Sequence, residues 1–245
     1  MAIKTIGVIG AGTMGNGIAQ ACAVVGIPSV MLDINDAAVQ KGVATISGSL
    51  DRLVKKEKMT AEQKAAALGR IKTATDLAAL KDADLVIEAA TENLELKLKI
   101  FRQLDELAKA DAVIASNTSS ISITKLAAST KRPDKVIGMH FFNPVPLMAL
   151  VELIRGLQTS DATYAAVEAV SKAVGKSPVQ VRNSPGFVVN RMLCPMINEA
   201  IFALGENLAT AAQIDEAMKL GANHPIGPLA LCLSLIHISE PTRPY

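Results

Sequence analysis

The sequence predicts an α/β protein in which a doubly wound, mostly parallel sheet of the Rossmann type is followed by a smaller, all-helical C-terminal domain. Short apolar runs alternate with longer helical patterns up to about residue 184. The runs are continuously apolar rather than alternating, which is typical of strands that are covered by helices on both faces. After the segment NSPGF (183–187), helical patterns follow one another with no strand between them.

Seven segments are predicted to be strands because each is a short run of apolar, β-type residues. They are 5–10, 29–33, 84–89, 112–117, 135–141, 149–154 and 178–182. Helical patterns cover 14–26, 36–58 and 94–110 among the strands, and 186–205 and 210–221 after them. Because strands and helices alternate in the first part of the chain, we expect one sheet built from βαβ units.

The change of pattern places a domain boundary near Ser184–Pro185. We expect an α/β domain over 1–184 and the start of a helical domain over 185–231. The last stretch, CLSLIHISEPTRPY (232–245), matches neither the helical nor the strand period and follows no helix stop signal. We interpret residues 232–245 as an anomalous, non-native tail joined to a truncated helical domain.

Composition excludes several classes of function. Half of the 245 residues are apolar, and 25 basic side chains stand against 23 acidic ones, with 3% aromatic residues. This balance gives neither a basic field nor stacking rings for nucleic acid. The cysteines, Cys22, Cys194 and Cys232, lack metal-ligand spacing, so we expect no metal site and a reducing, cytoplasmic location. With no apolar run of about 18 residues and no room for a leader before the first strand, we expect no membrane segment.

The first predicted strand runs into a glycine motif, GAGTMG (10–15), that opens a predicted helix. In a dinucleotide-binding turn, Gly10 makes the tight turn, Gly12 lets the backbone approach a pyrophosphate, and Gly15 lets the helix pack on the strand. Asp33 ends the second strand, where a carboxylate accepts hydrogen bonds from a ribose 2′-hydroxyl and repels a 2′-phosphate. We therefore expect NAD rather than NADP. The alternative is a plain turn with Asp33 capping a loop.

Polar residues follow two later strands at the same edge of the predicted sheet, where open α/β sheets bind ligands. Glu92 and Lys97 come after the strand 84–89, and we expect them to line the nicotinamide side. For Lys97, a solvated helix face is an equal alternative. Ser119 belongs to the cluster SNTSS (116–120) after the next strand, and the alternative is that Ser119 or Ser120 simply caps the following helix.

His140 ends a further strand at this edge, and the segment NPVP (143–146) then reverses the chain. Glu152 lies on the next strand and can return beside His140. A carboxylate that accepts from one ring nitrogen fixes the tautomer and leaves the other nitrogen to take a proton from an alcohol. The pair therefore predicts the base of a dehydrogenase, the alternative being a buried structural pair.

Ser49 and Lys56 form a second cluster, because residues seven apart share one face of the helix that follows Asp33. They are placed to grip a phosphorylated ligand. On spacing alone, a solvated basic helix end is the better interpretation.

These motifs together resemble the L-3-hydroxyacyl-CoA dehydrogenase family, and most closely its short bacterial branch. The resemblance covers residues 3 to about 231 and rests on six segments in family order: GVIGAGTMGNGIAQ, VIEAATEN, ASNTSS, GMHFFNPVPLMALVE, NSPGFVVNR and HPIGPLAL. It implies hydride transfer between NAD and the C3 oxygen-bearing carbon of a short-chain acyl-CoA such as 3-hydroxybutyryl-CoA. It also implies a homodimer formed through the helical domain.

The resemblance further implies a role for each matching residue. His140 is the general base and Glu152 its orienting partner, while Ser119, Asn143 and Asn190 hold the oxygens of the substrate and the nicotinamide. Asn190 comes from the helical domain. Contacts to NAD are implied for the glycine motif with Thr13 and Met14, and for Asp33, Glu92 and Lys97. Contacts to the CoA moiety are implied for Ser49, Lys56 and Ser119, which favours ligand binding over a merely solvated helix end.

Two other functions remain open at this point. One is a dehydrogenase of the same scaffold that acts on a small hydroxy acid without CoA. The other is an inactive, truncated fragment that acts at most as a binding module. The presence of both His140 and Glu152 argues against loss of activity by point substitution.

Overall fold

The structure, a computed structural model, describes residues 3–239. The chain divides into two compact units, Met1–Phe187 and Val188–Tyr245. The first unit contains the sheet, and the second is helical throughout its described part. The predicted fold class is therefore confirmed.

The sheet has eight strands in the order β3-β2-β1-β4-β5-β6-β7-β8. The first six run parallel, β7 is antiparallel to β6, and β8 is parallel to β7. As a result, the carboxyl ends of β1 to β6 meet at one edge, and the start of β7 returns to that edge. The strands are β1 Ile6–Ile9, β2 Ser29–Leu32, β3 Ile71–Ala74, β4 Leu85–Glu88, β5 Val113–Ser116, β6 Val136–Phe141, β7 Leu150–Arg155 and β8 Ser177–Arg182.

Six helices accompany these strands. Most begin at a polar residue whose side chain accepts a backbone N–H of the first turn, as Asn35, Asn93 and Ser160 do. Apolar residues of the strands pack against α1, α2 and α6 on one face of the sheet and against α4 and α5 on the other. The helices are α1 Thr13–Val24, α2 Asp36–Lys55, α3 Ala61–Gly69, α4 Leu94–Leu107, α5 Ile123–Ala127 and α6 Asp161–Ala173.

Several elements were not predicted. Strand β3 has the sequence IKTA, and its side chains are exposed or half-buried, so it lacks the apolar run that marks a covered strand. Helices α3 and α6 were also missed, and α5 was anticipated only as the helix that follows the segment SNTSS. The pattern over 36–58 overran the end of α2, because Glu57 adopts a left-handed backbone conformation with φ of 55°.

The second unit contains α7 Val189–Gly205, α8 Ala211–Gly221 and α9 Pro228–Ser239. The carboxylate of Asp215 on α8 accepts from the backbone N–H groups of Leu229 and Ala230, at 2.8 and 2.9 Å, and so caps α9. The expectation that residues 232–245 follow no regular pattern is wrong for 232–239, which continue α9. Residues 240–245 lie outside the described residues.

Within residues 3–239, no helix has both the length and the apolar character needed to cross a membrane.

Candidate active site

The glycine motif joins β1 to α1 through two close backbone approaches. Gly10 has φ of +102°, and a Cβ atom there would lie 2.6 Å from the backbone oxygen of Ala89. A Cβ atom on Gly15 would lie 1.7 Å from the backbone oxygen of Gly10. At Gly12, by contrast, an added Cβ meets no described atom within 4 Å. The motif therefore turns tightly while Gly12 leaves open space at the start of α1, as a bound pyrophosphate requires.

Asp33 ties the end of β2 to this motif. Its carboxylate accepts from the backbone N–H groups of Ala11 at 2.6 Å and Ile34 at 2.7 Å. Each carboxylate oxygen keeps a further lone pair that can accept from a ribose hydroxyl. Gly12 and Asp33 line a cleft of about 480 Å³ whose other walls come from the ends of β1 and β4 and from α4. These residues fit the adenosine half of a dinucleotide.

A buried ion pair lies behind the cleft. The ammonium of Lys97 is 2.6 Å from Glu88 Oε1 and 3.5 Å from Glu92 Oε2, and the side chains of Lys97 and Glu88 are 1% and 0% exposed. Glu88 also accepts from the hydroxyl of Ser116 at 2.6 Å and from the backbone N–H of Ala90 at 2.7 Å. The alternative of a solvated helix face for Lys97 is therefore wrong. Its predicted contact with NAD stays a prediction.

Glu88 and Ser116 were not predicted as site residues. The available signal was the carboxylate at the end of the apolar run DLVIE, because a charged residue in a covered strand needs a buried partner.

Glu92 holds the loop that carries Ser119. Its Oε1 atom accepts from the backbone N–H groups of Ser119 and Ser120, at 3.2 and 3.1 Å, and from the hydroxyls of Ser120 and Thr118. Partial burial would raise the pKa of Glu92, but these hydrogen bonds and the charge of Lys97 outweigh it and lower that pKa. Neither Ser119 nor Ser120 caps α5, so that alternative is also wrong; Ser122 does.

The predicted contact between His140 and Glu152 is confirmed. The two residues lie directly opposite each other on the antiparallel strands β6 and β7. His140 Nδ1 is 2.8 Å from Glu152 Oε2, and both residues are buried. Because a carboxylate only accepts, Nδ1 donates this bond. Nε2 is then left to accept from the hydroxyl of Ser119, which lies 2.9 Å away.

Two aromatic rings surround the imidazole. The ring centroids of Phe142 and Phe187 lie 4.6 and 5.5 Å from that of His140. They exclude water from the sides of the imidazole, which strengthens the electrostatic interaction between His140 and Glu152. Spacing in the sequence carried no signal for Phe187, which is brought to His140 only by the return of the chain after β8.

Four predicted residues lie elsewhere. Asn143 is exposed in the turn between β6 and β7, three residues after His140. Ser49 is half-buried on α2, and Lys56 is exposed at its C-cap, so they keep the predicted spacing along one helix. Asn190 is the second residue of α7 and belongs to the other compact unit.

The described residues contain no group of three or more His, Cys, Asp or Glu side chains that could hold a metal ion.

Comparison with protein families gives two matches that follow each other along the chain. Residues 5–184 match the model of the 3-hydroxyacyl-CoA dehydrogenase NAD-binding domain, and residues 186–238 match that of the C-terminal domain. The chain belongs to the 3-hydroxyacyl-CoA dehydrogenase family. The glycine motif and Asp33 lie within the matched NAD-binding domain, and their geometry fits that cofactor. The protein is thus an NAD-dependent dehydrogenase of the 3-hydroxyacyl-CoA dehydrogenase family.

Individual relatives agree with this family. The chain is 51% identical to a 3-hydroxybutyryl-CoA dehydrogenase of Bradyrhizobium diazoefficiens, covering 96% of this chain and 83% of the relative. It is 52% identical to one of Clostridioides difficile, covering 92% and 80%. The crystal structure of (S)-3-hydroxybutyryl-CoA dehydrogenase from Ralstonia eutropha superposes with a TM-score of 0.92 at 65% identity, covering 98% of this chain and 88% of that one.

The first prediction concerns the buried pair behind the cleft. We expect Lys97→Met to lower the free energy of unfolding by about 3–5 kcal/mol, because it leaves the carboxylate of Glu88 buried without a cation. Lys99→Met, on the exposed side of the same helix, is the matched control and should stay within about 0.5 kcal/mol. Unfolding in guanidinium chloride measures both. A Lys97→Met protein as stable as the control would contradict this account of the pair.

Proposed function

We propose that the protein interconverts a short-chain 3-hydroxyacyl-CoA, such as 3-hydroxybutyryl-CoA, and the corresponding 3-ketoacyl-CoA, with His140 as general acid and base. The observation that carries this proposal is the placement of the imidazole between Glu152 and Ser119. An alcohol oxygen that displaces the Ser119 hydroxyl from Nε2 would stand in line to give up its proton. The names of the relatives supply the substrate class.

His140 moves one proton in each direction. In oxidation, Nε2 takes the proton of the C3 hydroxyl as C3 loses a hydride, so the alcohol becomes a ketone. NAD supplies the acceptor of that hydride. Glu152 stabilises the imidazolium that forms, because its carboxylate accepts from Nδ1 throughout. In reduction of acetoacetyl-CoA, the imidazolium donates from Nε2 to the ketone oxygen.

The other predicted polar residues are proposed to orient the reactants. Ser119 would hold the substrate oxygen, since its hydroxyl already lies within hydrogen-bond reach of the base. Asn143 and Asn190 would hold the nicotinamide and the substrate with their amide groups. Glu92 and Lys97 would act on the nicotinamide side. The network from Lys97 through Glu92 to the Ser119 loop supports the last assignment.

Asp33 is proposed to select NAD. Asp33 directly follows β2, and its carboxylate lies beside the glycine motif. It would accept hydrogen bonds from the adenosine ribose hydroxyls. Thr13 and Met14 are the first two residues of α1, directly after Gly12, and are proposed to contact the dinucleotide. A 2′-phosphate would meet the charge of Asp33 and be repelled.

The CoA moiety is proposed to contact Ser49 and Lys56 on α2. Lys56 is exposed and makes no ion pair within the described residues, so its charge is available to a phosphate group. The nearby acid Asp51 is paired with Lys64 at 2.7 Å.

We further propose that the helical unit pairs with a second copy of the chain. Exposed apolar side chains on α7 and after it support this, because such clusters normally mark an interface. They are Met192, Ile201, Phe202 and Leu208. A cytoplasmic location is proposed as well.

The second prediction tests the base directly. We expect His140→Gln to lose turnover of acetoacetyl-CoA by about 10²-fold or more, because no group then holds the proton at Nε2, while NADH still binds. NADH oxidation and NADH fluorescence titration measure the two effects. Unchanged turnover in this variant would refute the role of His140.

The third prediction separates a CoA ester from a small hydroxy acid as substrate. We expect Lys56→Ala to raise the KM for acetoacetyl-CoA about tenfold through loss of a charged contact, with kcat unchanged. The KM for a 3-keto ester without CoA should not move. Lys58→Ala, two residues along and also exposed, is the matched control. Equal shifts for both substrates would contradict CoA recognition by Lys56.

A further inference from the structure

The turn between β6 and β7 carries Asn143, whose proposed role is contact with the nicotinamide. Residues 143–149 fold back on themselves, and the backbone N–H groups of Leu147 and Met148 donate to the oxygen of Pro144 at 2.9 and 3.0 Å. These two bonds close the turn internally. They do not hold it against the rest of the sheet, so its position depends on other contacts.

The first such contact comes from a buried ammonium group. Lys176, between α6 and β8, is 8% exposed, and its Nζ donates to the backbone oxygens of Val145 and of Met148, the latter at 2.8 Å. It makes no ion pair with the described residues. Burial lowers the pKa of Lys176, because removal from water disfavours the charged form.

A buried cation without a carboxylate partner is costly, and an apolar side chain of the same length would fill the space without that cost. The feature that only the ammonium supplies is its set of donors. Two of these donors bind backbone carbonyl groups of the 143–149 turn, those of Val145 and Met148. The hydrogen bonds to this turn therefore explain why an ammonium group is buried at position 176.

The second contact is a close approach at Gly17, in the interior of α1. A Cβ atom there would lie 2.8 Å from Val145 Cβ and 3.1 Å from Val145 Cγ2, and Val145 is buried. Glycine weakens the interior of a helix, so its presence needs a reason, and the approach of Val145 provides one. Helix α1 starts at the glycine motif. The turn is thus packed on the same helix whose N-terminus meets the pyrophosphate in the proposed complex.

We propose that Lys176 and Gly17 are positioning residues that fix the 143–149 turn to α1, and thereby place Asn143 for binding of the dinucleotide. Lys176 acts on the backbone oxygen of Val145, and Gly17 leaves room for the side chain of Val145. The proposal rests on the proposed role of Asn143. Beyond that role, the proposal states that Val145 fixes the position of the nicotinamide contact relative to the pyrophosphate site.

The test uses the full chain with two variants and their matched controls. Gly17→Ala pushes the turn outward, and Lys176→Met removes both carbonyl contacts while keeping the length of the side chain. Gly69→Ala in α3 is the first control, because an added Cβ meets no described atom within 4 Å. Lys172→Met is the second, because Lys172 is exposed and pairs only with Glu168 on its own helix.

We expect each variant to weaken NADH binding about tenfold in a fluorescence titration, and to raise the KM for NADH but not for acetoacetyl-CoA. Both controls should bind NADH as the parent does. Val145→Gly in the Gly17→Ala background removes both Val145 atoms that the new Cβ would meet, Cβ and Cγ2, so affinity should return. If Lys176→Met fails to fold, this loss and return of NADH affinity still tests the proposal. A merely structural role would lower the melting temperature of the variants and leave NADH affinity intact, and that result would overturn the proposal.

Asn143→Ala separates the proposed role of Asn143 from the proposed positioning role of Lys176 and Gly17. If Asn143→Ala binds NADH as the parent does, the proposed role of Asn143 fails, and the inference fails with it. If Asn143→Ala weakens binding while Gly17→Ala and Lys176→Met do not, only the positioning role is wrong. Turnover by the His140 variant bears on neither result, because the titration involves no chemistry.

Discussion

The antiparallel pairing of β6 with β7 is the constraint on which the proposed site depends. It sets His140 opposite Glu152, so that a backbone register, rather than a flexible side chain, decides which group faces the imidazole. Opposed residues on neighbouring antiparallel strands have side chains on the same face at short range. A slip of one residue would turn Glu152 to the other face of the sheet and leave His140 without its acceptor.

The other polar groups support this pair from the neighbouring strands. The Ser119 loop presents its hydroxyl to Nε2, and Glu92 holds that loop with one carboxylate oxygen. Lys97 and Glu88, both buried, lie behind Glu92. These buried charges are tolerated because the carboxylates of Glu88 and Glu92 each accept hydrogen bonds from several donors. The result is a continuous network from the end of β4 to the end of β6, which orders the groups around the base before any ligand arrives.

Local patterns were enough to predict the fold class, the glycine motif and the His140–Glu152 contact, because each depends on strand ends and on one short turn. Strand β3 escaped prediction because an exposed edge strand has no continuous apolar run. The partner Glu88 escaped although it lies nine residues before Lys97, because the charge spacing there equally favoured a solvated helix face. The packing of Phe187 on His140 escaped because these two residues are far apart in sequence. The same is true of Lys176, whose acceptors are backbone oxygens and leave no trace in residue types.

The state of the imidazole is the most direct test of the central claim. The chain has three histidines, so a ¹⁵N NMR spectrum of the imidazole groups can be assigned by comparison with a His140 variant. The account predicts that neutral His140 carries its proton on Nδ1, donated to Glu152, with Nε2 unprotonated and free to accept from an alcohol. A neutral ring protonated on Nε2 would have no lone pair directed at the substrate, and would contradict the proposed chemistry.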